Sequence, residues 1–321
     1  MRQRSSRRFR PTVLTIVITL LILGGTTAGA YPMTAAWFSS YNQSKIVETF
    51  SDDVKSAVPS ASQQLDQAHR YNEALVAGVK LDRNANIPVG TGSSQAKGLE
   101  YDHLLSANAE GVMGRIKIDS AEVDLPIYHG TSDAVLSRGA GHLEGSSLPV
   151  GGKGTRSVIT AHRGLANATM FTHLDRVKEG DQFTLEVFGE VLVYQVIKTQ
   201  VIDPEATATL RAEPNQDLVS LITCTPLGIN TQRIVVTGKR ITPTPPAAQA
   251  ALGQVPTIPG FPWWMVILGA GGALAIAYFV LQGRKDASIR NRRDAAHLHH
   301  AASQPHPADN QPPLLTRDFA R

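Results

Sequence analysis

The stretch QFTLEVFGEVLVYQVIKT, residues 182–199, decides the fold class. Two β-prone runs, Gln182–Val187 and Val191–Thr199, flank Phe188-Gly189-Glu190, an arrangement that reads as a hairpin. Similar short runs lie on both sides of it: Val112–Ile118, Asp124–Tyr128, Ser157–Ala161, Leu218–Thr223 and Ile234–Gly238. Gly, Pro, Asn and Asp separate them, and a single helical piece is expected around Ala168–Val177. Repeated short strands with turn signals predict an all-β barrel or sandwich. A segment of about 130 residues suffices for one core.

Two apolar stretches bracket this region. The first, residues 11–30, follows a basic segment, residues 1–10, with Arg2, Arg4, Arg7, Arg8 and Arg10. It has the ~20 residues that a helix needs to cross a bilayer. It exceeds the ~7–15-residue core of a signal peptide, which favours an uncleaved anchor over cleavage near Thr27–Ala30. The second, residues 263–282, begins with Trp263 and Trp264 and is followed by Arg284, Lys285, Arg290, Arg292 and Arg293. With basic residues at both outer ends, the positive-inside rule puts both termini in the cytoplasm and the β-rich region outside. The net charge of +4 comes largely from these flanks. Basic residues are not gathered with stacking aromatics, so no nucleic-acid partner is expected.

The remaining segments complete the expected organisation. Residues 31–110 form a helical region, with Pro59 as a break and a Gly/Ser/Asn-rich loop from Leu81 to Gly98. A short helical turn is expected at Tyr101–Ala107. The β-rich domain spans residues 111–241, a tether with six prolines spans 242–262, and a basic, disordered tail spans 283–321.

Cys224 is the only cysteine, so it has no intramolecular disulfide partner. It is either an inert packing residue or a reactive thiol. It ends the Leu218–Thr223 run, and Pro226 and Gly228 then force a loop before Arg233 begins the next run. A neighbouring cation favours thiolate, the nucleophilic form. Arg233 is either an ordinary ion-pair member or an oxyanion partner. A cysteine nucleophile also needs a proton donor, and His162, at the end of Ser157–Ala161, is favoured over His142. Thr223 and Thr225, flanking the cysteine, are candidate substrate or oxyanion contacts. No paired His/Cys spacing points to a metal.

Six stretches together resemble the sortase family, and within it class C, the pilin-polymerising kind: GVMGRIKI from Gly111, LPIYHG from Leu125, GHLEGSSLPVGG from Gly141, TAHRGL from Thr160, LITCTPLGINTQR from Leu221 and VTGKRI from Val236. The resemblance implies a closed eight-stranded β-barrel with short helices, an N-terminal helical and lid region, and two flanking transmembrane helices. It implies Cys224 as nucleophile, with Ser220 standing where the family motif has threonine. His162 is then the general acid/base and Arg233 the transition-state stabiliser. The implied reaction cleaves the Thr–Gly bond of an LPxTG-like sorting signal through a thioester, without cofactor. A pilin lysine, or an amine of the cell-wall precursor, then takes the acyl group. The implied lid falls on Asp82, Arg83 and Asn84, without the family's proline and aromatic residue. A passive tethered binding or assembly module would have no need of Cys224, His162 and Arg233 together.

Overall fold

The computed structural model describes residue 9 and residues 11–76, 79–81, 88–90, 93–94, 98–108 and 110–302. Asp82, Arg83 and Asn84, where the lid was expected, lie outside the described residues. The chain divides into two compact units, residues 31–264 and a unit formed by residues 1–30 with 265–321.

The larger unit is built on a closed barrel of eight strands: β1 (Val112–Ile118), β2 (Val123–His129), β3 (Ala140–His142), β4 (Thr155–Thr160), β5 (Gln182–Val187), β6 (Glu190–Ile202), β7 (Asp217–Thr225) and β8 (Gln232–Arg240). Their order around the barrel is β6-β8-β7-β4-β3-β2-β1-β5, closed by the β5–β6 hairpin. β4 and β7 run parallel, as do β2 and β3; the other neighbours are antiparallel. Closure removes the exposed strand edges of an open sheet.

The hairpin turn is Phe188-Gly189, both with positive φ (47° and 88°), as a two-residue turn matched to strand twist requires. Phenylalanine is uncommon there. Its ring is buried edge-on against Phe50, with centroids 6.2 Å apart, and this packing offsets the backbone cost. Further along the hairpin, the paired Phe183 and Tyr194 stack at 5.4 Å. A Cβ on Gly238 of β8 would run into the Phe183 ring, which explains the glycine in Val236-Thr237-Gly238.

Helix α1 (Val13–Ser56) is continuous, and Val47, Phe50 and Val54 near its end are buried. Helix α2 (Ala61–Glu73) follows Pro59, opens with a Ser60/Gln63 capping box, and is pinned to the barrel by Asn72. The Asn72 amide accepts from the Leu148 N–H (2.7 Å) and donates to the Leu148 carbonyl (3.1 Å). A 3-10 turn forms at Tyr101–His103. Between them the backbone makes two small ladders, Leu75–Val76 with Ser93–Ser94 and Val79–Leu81 with Pro88–Gly90, so strand replaces helix at 75–76 and 79–80 and adds ladder partners within the stretch read as loop.

Three local features depart from the sequence reading. The helix expected at Ala168–Val177 is reduced to a 3-10 turn, Leu174–Arg176. Met170 is left-handed (φ 43°) and the Phe171 N–H goes to the His162 carbonyl (3.0 Å), so no i→i−4 ladder can start there. Strand β3 was not anticipated, because three residues with a central glycine carry no period-2 signal. The proline-containing segment is partly folded: whereas the short helix α3 (Asp133–Leu136) lies in the connection between β2 and β3, α4 (Pro246–Ala250) forms within this segment and precedes a docked stretch. There Arg115 on β1 holds Asp124 of β2 through two 2.7 Å hydrogen bonds and reaches Glu186 of β5 at 3.3 Å. Arg115 also donates to the Gln254 carbonyl (2.8 Å), while the Gly253 N–H donates to Glu186 (3.2 Å).

The second unit pairs the start of α1 with helix α5 (Trp263–Ala302), so the tail expected to be disordered from residue 283 is helical as far as Ala302. Both are long and apolar enough to cross a membrane, and only 11% of each spanning window is buried. Leu14, Leu20, Leu21, Leu274 and Ile276 all point outward, opposite to the burial expected of a soluble core helix. Gly271 leaves room for the Thr26 side chain, a small-residue contact of the kind that lets membrane helices approach. Asp286 accepts from the Thr15 hydroxyl (2.6 Å) and the Thr12 N–H (3.0 Å).

Candidate active site

Three neighbouring strands bring the chemistry-bearing residues to one end of the barrel. Cys224 is the penultimate residue of β7 and Arg233 the second residue of β8, and the two are direct cross-strand partners. Directly opposed residues in an antiparallel pair project to the same face. On the other side of β7, parallel pairing with β4 ends at Ile222 with Thr160, and the Ala161 N–H continues it to the Ile222 carbonyl (3.3 Å). His162 follows Ala161, so extension of this register brings it level with Cys224. The strand order His162, Cys224, Arg233 thus follows β4, β7 and β8.

The β7–β8 connection fixes the arginine. Ile229 and Asn230 both donate their N–H groups to the Pro226 carbonyl (3.1 and 2.9 Å), closing the turn. Arg233 Nη1 donates to the carbonyls of Asn230 (2.8 Å) and Gln232 (2.9 Å). Its side chain is buried, and Cys224 is only 7% exposed. Burial pushes the Cys224 thiol up, and the Arg233 charge pulls it back down. Burial lowers the half-buried His162, and Asp133 opposes this by favouring the imidazolium. Both groups are therefore biased toward neutrality. The Arg233 charge is the interaction that opposes this bias at the sulfur, and Asp133 the one that opposes it at the imidazole.

The hydroxyls flanking the thiol are already engaged. Thr223 donates to the Ala161 carbonyl (2.8 Å) in the interior, tying β7 to the end of β4. Thr225 accepts from Arg163 Nη1 (2.9 Å), a contact that sequence reasoning missed because its partners lie 62 residues apart. Ser220 lies three rungs deeper than Thr223 and accepts from Arg156 (2.9 Å), so the hydroxyl there has a partner.

His142, the alternative imidazole, is fully buried on β3 opposite Ile159. Ile159 pairs with Leu221, three residues before Cys224, about 10 Å along a strand. Its Nε2 lies 2.9 Å from the Ser147 carbonyl, which fixes the proton there, and Nδ1 then accepts from the Tyr101 hydroxyl (2.9 Å). Burial depresses its pKa to about 4. This is a neutral, structural histidine. Among the described residues no group of three His, Cys, Asp or Glu side chains is arranged to hold a metal ion.

Comparison with known proteins agrees with the barrel fold. Residues 116–241 match the model of the sortase domain. Sortase C-1 of Actinomyces oris is 41% identical, with 57% of this chain covering 99% of that one and a TM-score of 0.50. The chain belongs to the sortase family. Sortase C of Streptococcus pneumoniae, an enzyme with pilin substrate specificity, is 35% identical over 63% of this sortase and 99% of its own chain, with a TM-score of 0.55. The curated sortase A of Streptococcus agalactiae is 26% identical, covering 53% of this sortase and 71% of its relative. The sortase is thus a cysteine transpeptidase whose solved relatives include class C enzymes. Sortases act on surface proteins and pilins carrying LPxTG-like signals.

Proposed function

We propose that this sortase is a membrane-anchored pilin transpeptidase in which Cys224, His162 and Arg233 act as one unit. The alignment of Cys224 with Arg233 across β7 and β8, with His162 at the end of β4, is the observation that carries the reading. In the attack, Cys224 Sγ passes its proton to His162 and bonds to the threonine carbonyl carbon of an LPxTG-like signal. The carbonyl oxygen becomes an oxyanion, and the Arg233 fork of donors offsets its charge. His162 then protonates the departing glycine amine as the C–N bond breaks, leaving a Cys224 thioester. A pilin lysine amine attacks the thioester, His162 takes up its proton, and the thiol is released with a new amide. The similarity to class C enzymes favours the pilin lysine over a peptidoglycan amine as acceptor.

In this reading the catalytic domain is residues 111–241, and α1 and α5 hold it at the outer membrane face with both termini inside. Incubating the full-length enzyme in detergent micelles with an LPxTG peptide and a lysine-bearing pilin peptide tests it. The joined product should form with wild type and vanish with Cys224→Ala. Equal joining by Cys224→Ala would refute the catalytic assignment.

A further inference from the structure

Arg163 follows His162 directly, and its side chain is only 9% exposed. It bridges three elements at once. Nη1 donates to the Thr225 hydroxyl at 2.9 Å, Nε donates to the Thr172 carbonyl at 3.1 Å, and Nη2 pairs with Asp175 at 2.9 Å. Thr225 is the residue after Cys224, and Thr172 and Asp175 lie where the chain leaves the histidine-bearing loop. The loop is closed independently: the Gly164 N–H donates to the Thr172 hydroxyl (3.1 Å), and the Phe171 N–H to the His162 carbonyl (3.0 Å). Gly164 has φ 74°, and a Cβ there would run into the Leu227 side chain of the β7–β8 turn. The histidine turn and the cysteine turn therefore touch, and Arg163 supplies a side-chain hydrogen bond that joins them.

We propose that Arg163 is a positioning residue: through the Thr225 hydroxyl it fixes the distance and orientation of Cys224 relative to His162. Its planar fork suits the task, because three acceptors in different directions are met by one rigid group. Arg163 touches neither the sulfur nor the imidazole and acts through the two chain segments that carry them. A misplacement on the order of 1 Å in a reacting pair costs roughly 100-fold in rate. The proposal rests on the reading that Cys224 and His162 react together.

The decisive variants are Thr225→Val, which keeps the shape and deletes the acceptor, and Thr225→Ser, which keeps the hydroxyl. Arg163→Met and the double variant Arg163→Met/Thr225→Val complete the cycle. In peptide transfer by the full-length enzyme, Arg163→Met and Thr225→Val should each lower kcat at least tenfold with KM changed less than threefold. The double variant should fall no further than the worse single one, and Thr225→Ser should be at least fivefold faster than Thr225→Val. A KM-only effect, additive losses, or Thr225→Ser as slow as Thr225→Val would overturn the assignment. The Val/Ser pair alone decides the matter if Arg163→Met does not fold. Independently of any substrate, iodoacetamide should alkylate the lone thiol at least threefold faster in Thr225→Val than in Thr225→Ser, because the loosened turn uncovers the sulfur. If that ratio appears but wild type transfers no peptide, the transpeptidase reading fails and the clamp stands. If transfer proceeds and the ratio is absent, the clamp fails and the transpeptidase reading stands.

Discussion

Replacing Arg233 by methionine isolates the electrostatic half of the site. Arg233 and Cys224 are directly paired across β7 and β8, and the arginine charge is the interaction that counters burial of the thiol. Side chains so paired bring sulfur and guanidinium to roughly 6 Å. At an effective dielectric of about 20, unit charges at that separation attract by about 3 kcal/mol. Carbonyls of Asn230 and Gln232 already share the guanidinium, so the part felt by the thiolate is smaller. A loss of about 1.4 kcal/mol reduces the thiolate population tenfold well below the thiol pKa. Arg233→Met should therefore slow iodoacetamide alkylation at pH 7.5 by at least tenfold and move the rate–pH curve to higher pH. Because Cys224 is the only cysteine, the assay reports this sulfur alone. Arg233→Lys keeps the charge and should retain most of the alkylation rate, while losing peptide transfer with the fork geometry. An alkylation profile unchanged in Arg233→Met would refute the claim that this cation favours the thiolate.

Three further outcomes concern the scaffold. Arg115→Met leaves Asp124 and Glu186 as uncompensated buried carboxylates and should cost about 3–5 kcal/mol in denaturant unfolding; Arg115→Met combined with Asp124→Asn and Glu186→Gln should recover at least half of that. Gly238→Ala should destabilise by about 1–3 kcal/mol through its clash with Phe183, with the alkylation rate of Cys224 unchanged. His142 is held neutral with a pKa of about 4. The unfolded chain takes up this proton below about pH 6.5, whereas the folded chain does so only near pH 4, so stability is full above pH 6.5 and falls as the pH drops toward 4. The loss over that window is about 3 kcal/mol, and His142→Gln should flatten that part of the stability curve.

Local chemistry made much of the barrel legible before any coordinates. Phe188-Gly189 between two β-prone runs announces a hairpin, and the Pro226–Gly228 turn sets Arg233 on the strand after Cys224. What stayed hidden depends on partners distant in sequence. The Arg115, Asp124 and Glu186 cluster forms only once β1, β2 and β5 are in register, and only then can it hold Gln254 and Gly253. Strand β3 exists because its neighbours supply partners for three residues that have little strand tendency of their own. The helix expected at Ala168–Val177 failed because a long-range bond to His162 claimed the Phe171 N–H. Arg163 stood within TAHRGL without a role of its own until its three acceptors came together. The choice between His142 and His162 is likewise a matter of depth in the barrel, which spacing along the chain does not encode.

The central claim is tested most directly by intact-mass spectrometry of the full-length enzyme quenched in acid after mixing with an LPxTG peptide. A covalent adduct equal to the peptide fragment up to threonine, mapped by fragmentation to Cys224 and released by hydroxylamine, is the predicted result. An adduct on any other residue, or turnover of the peptide by Cys224→Ala, would contradict it.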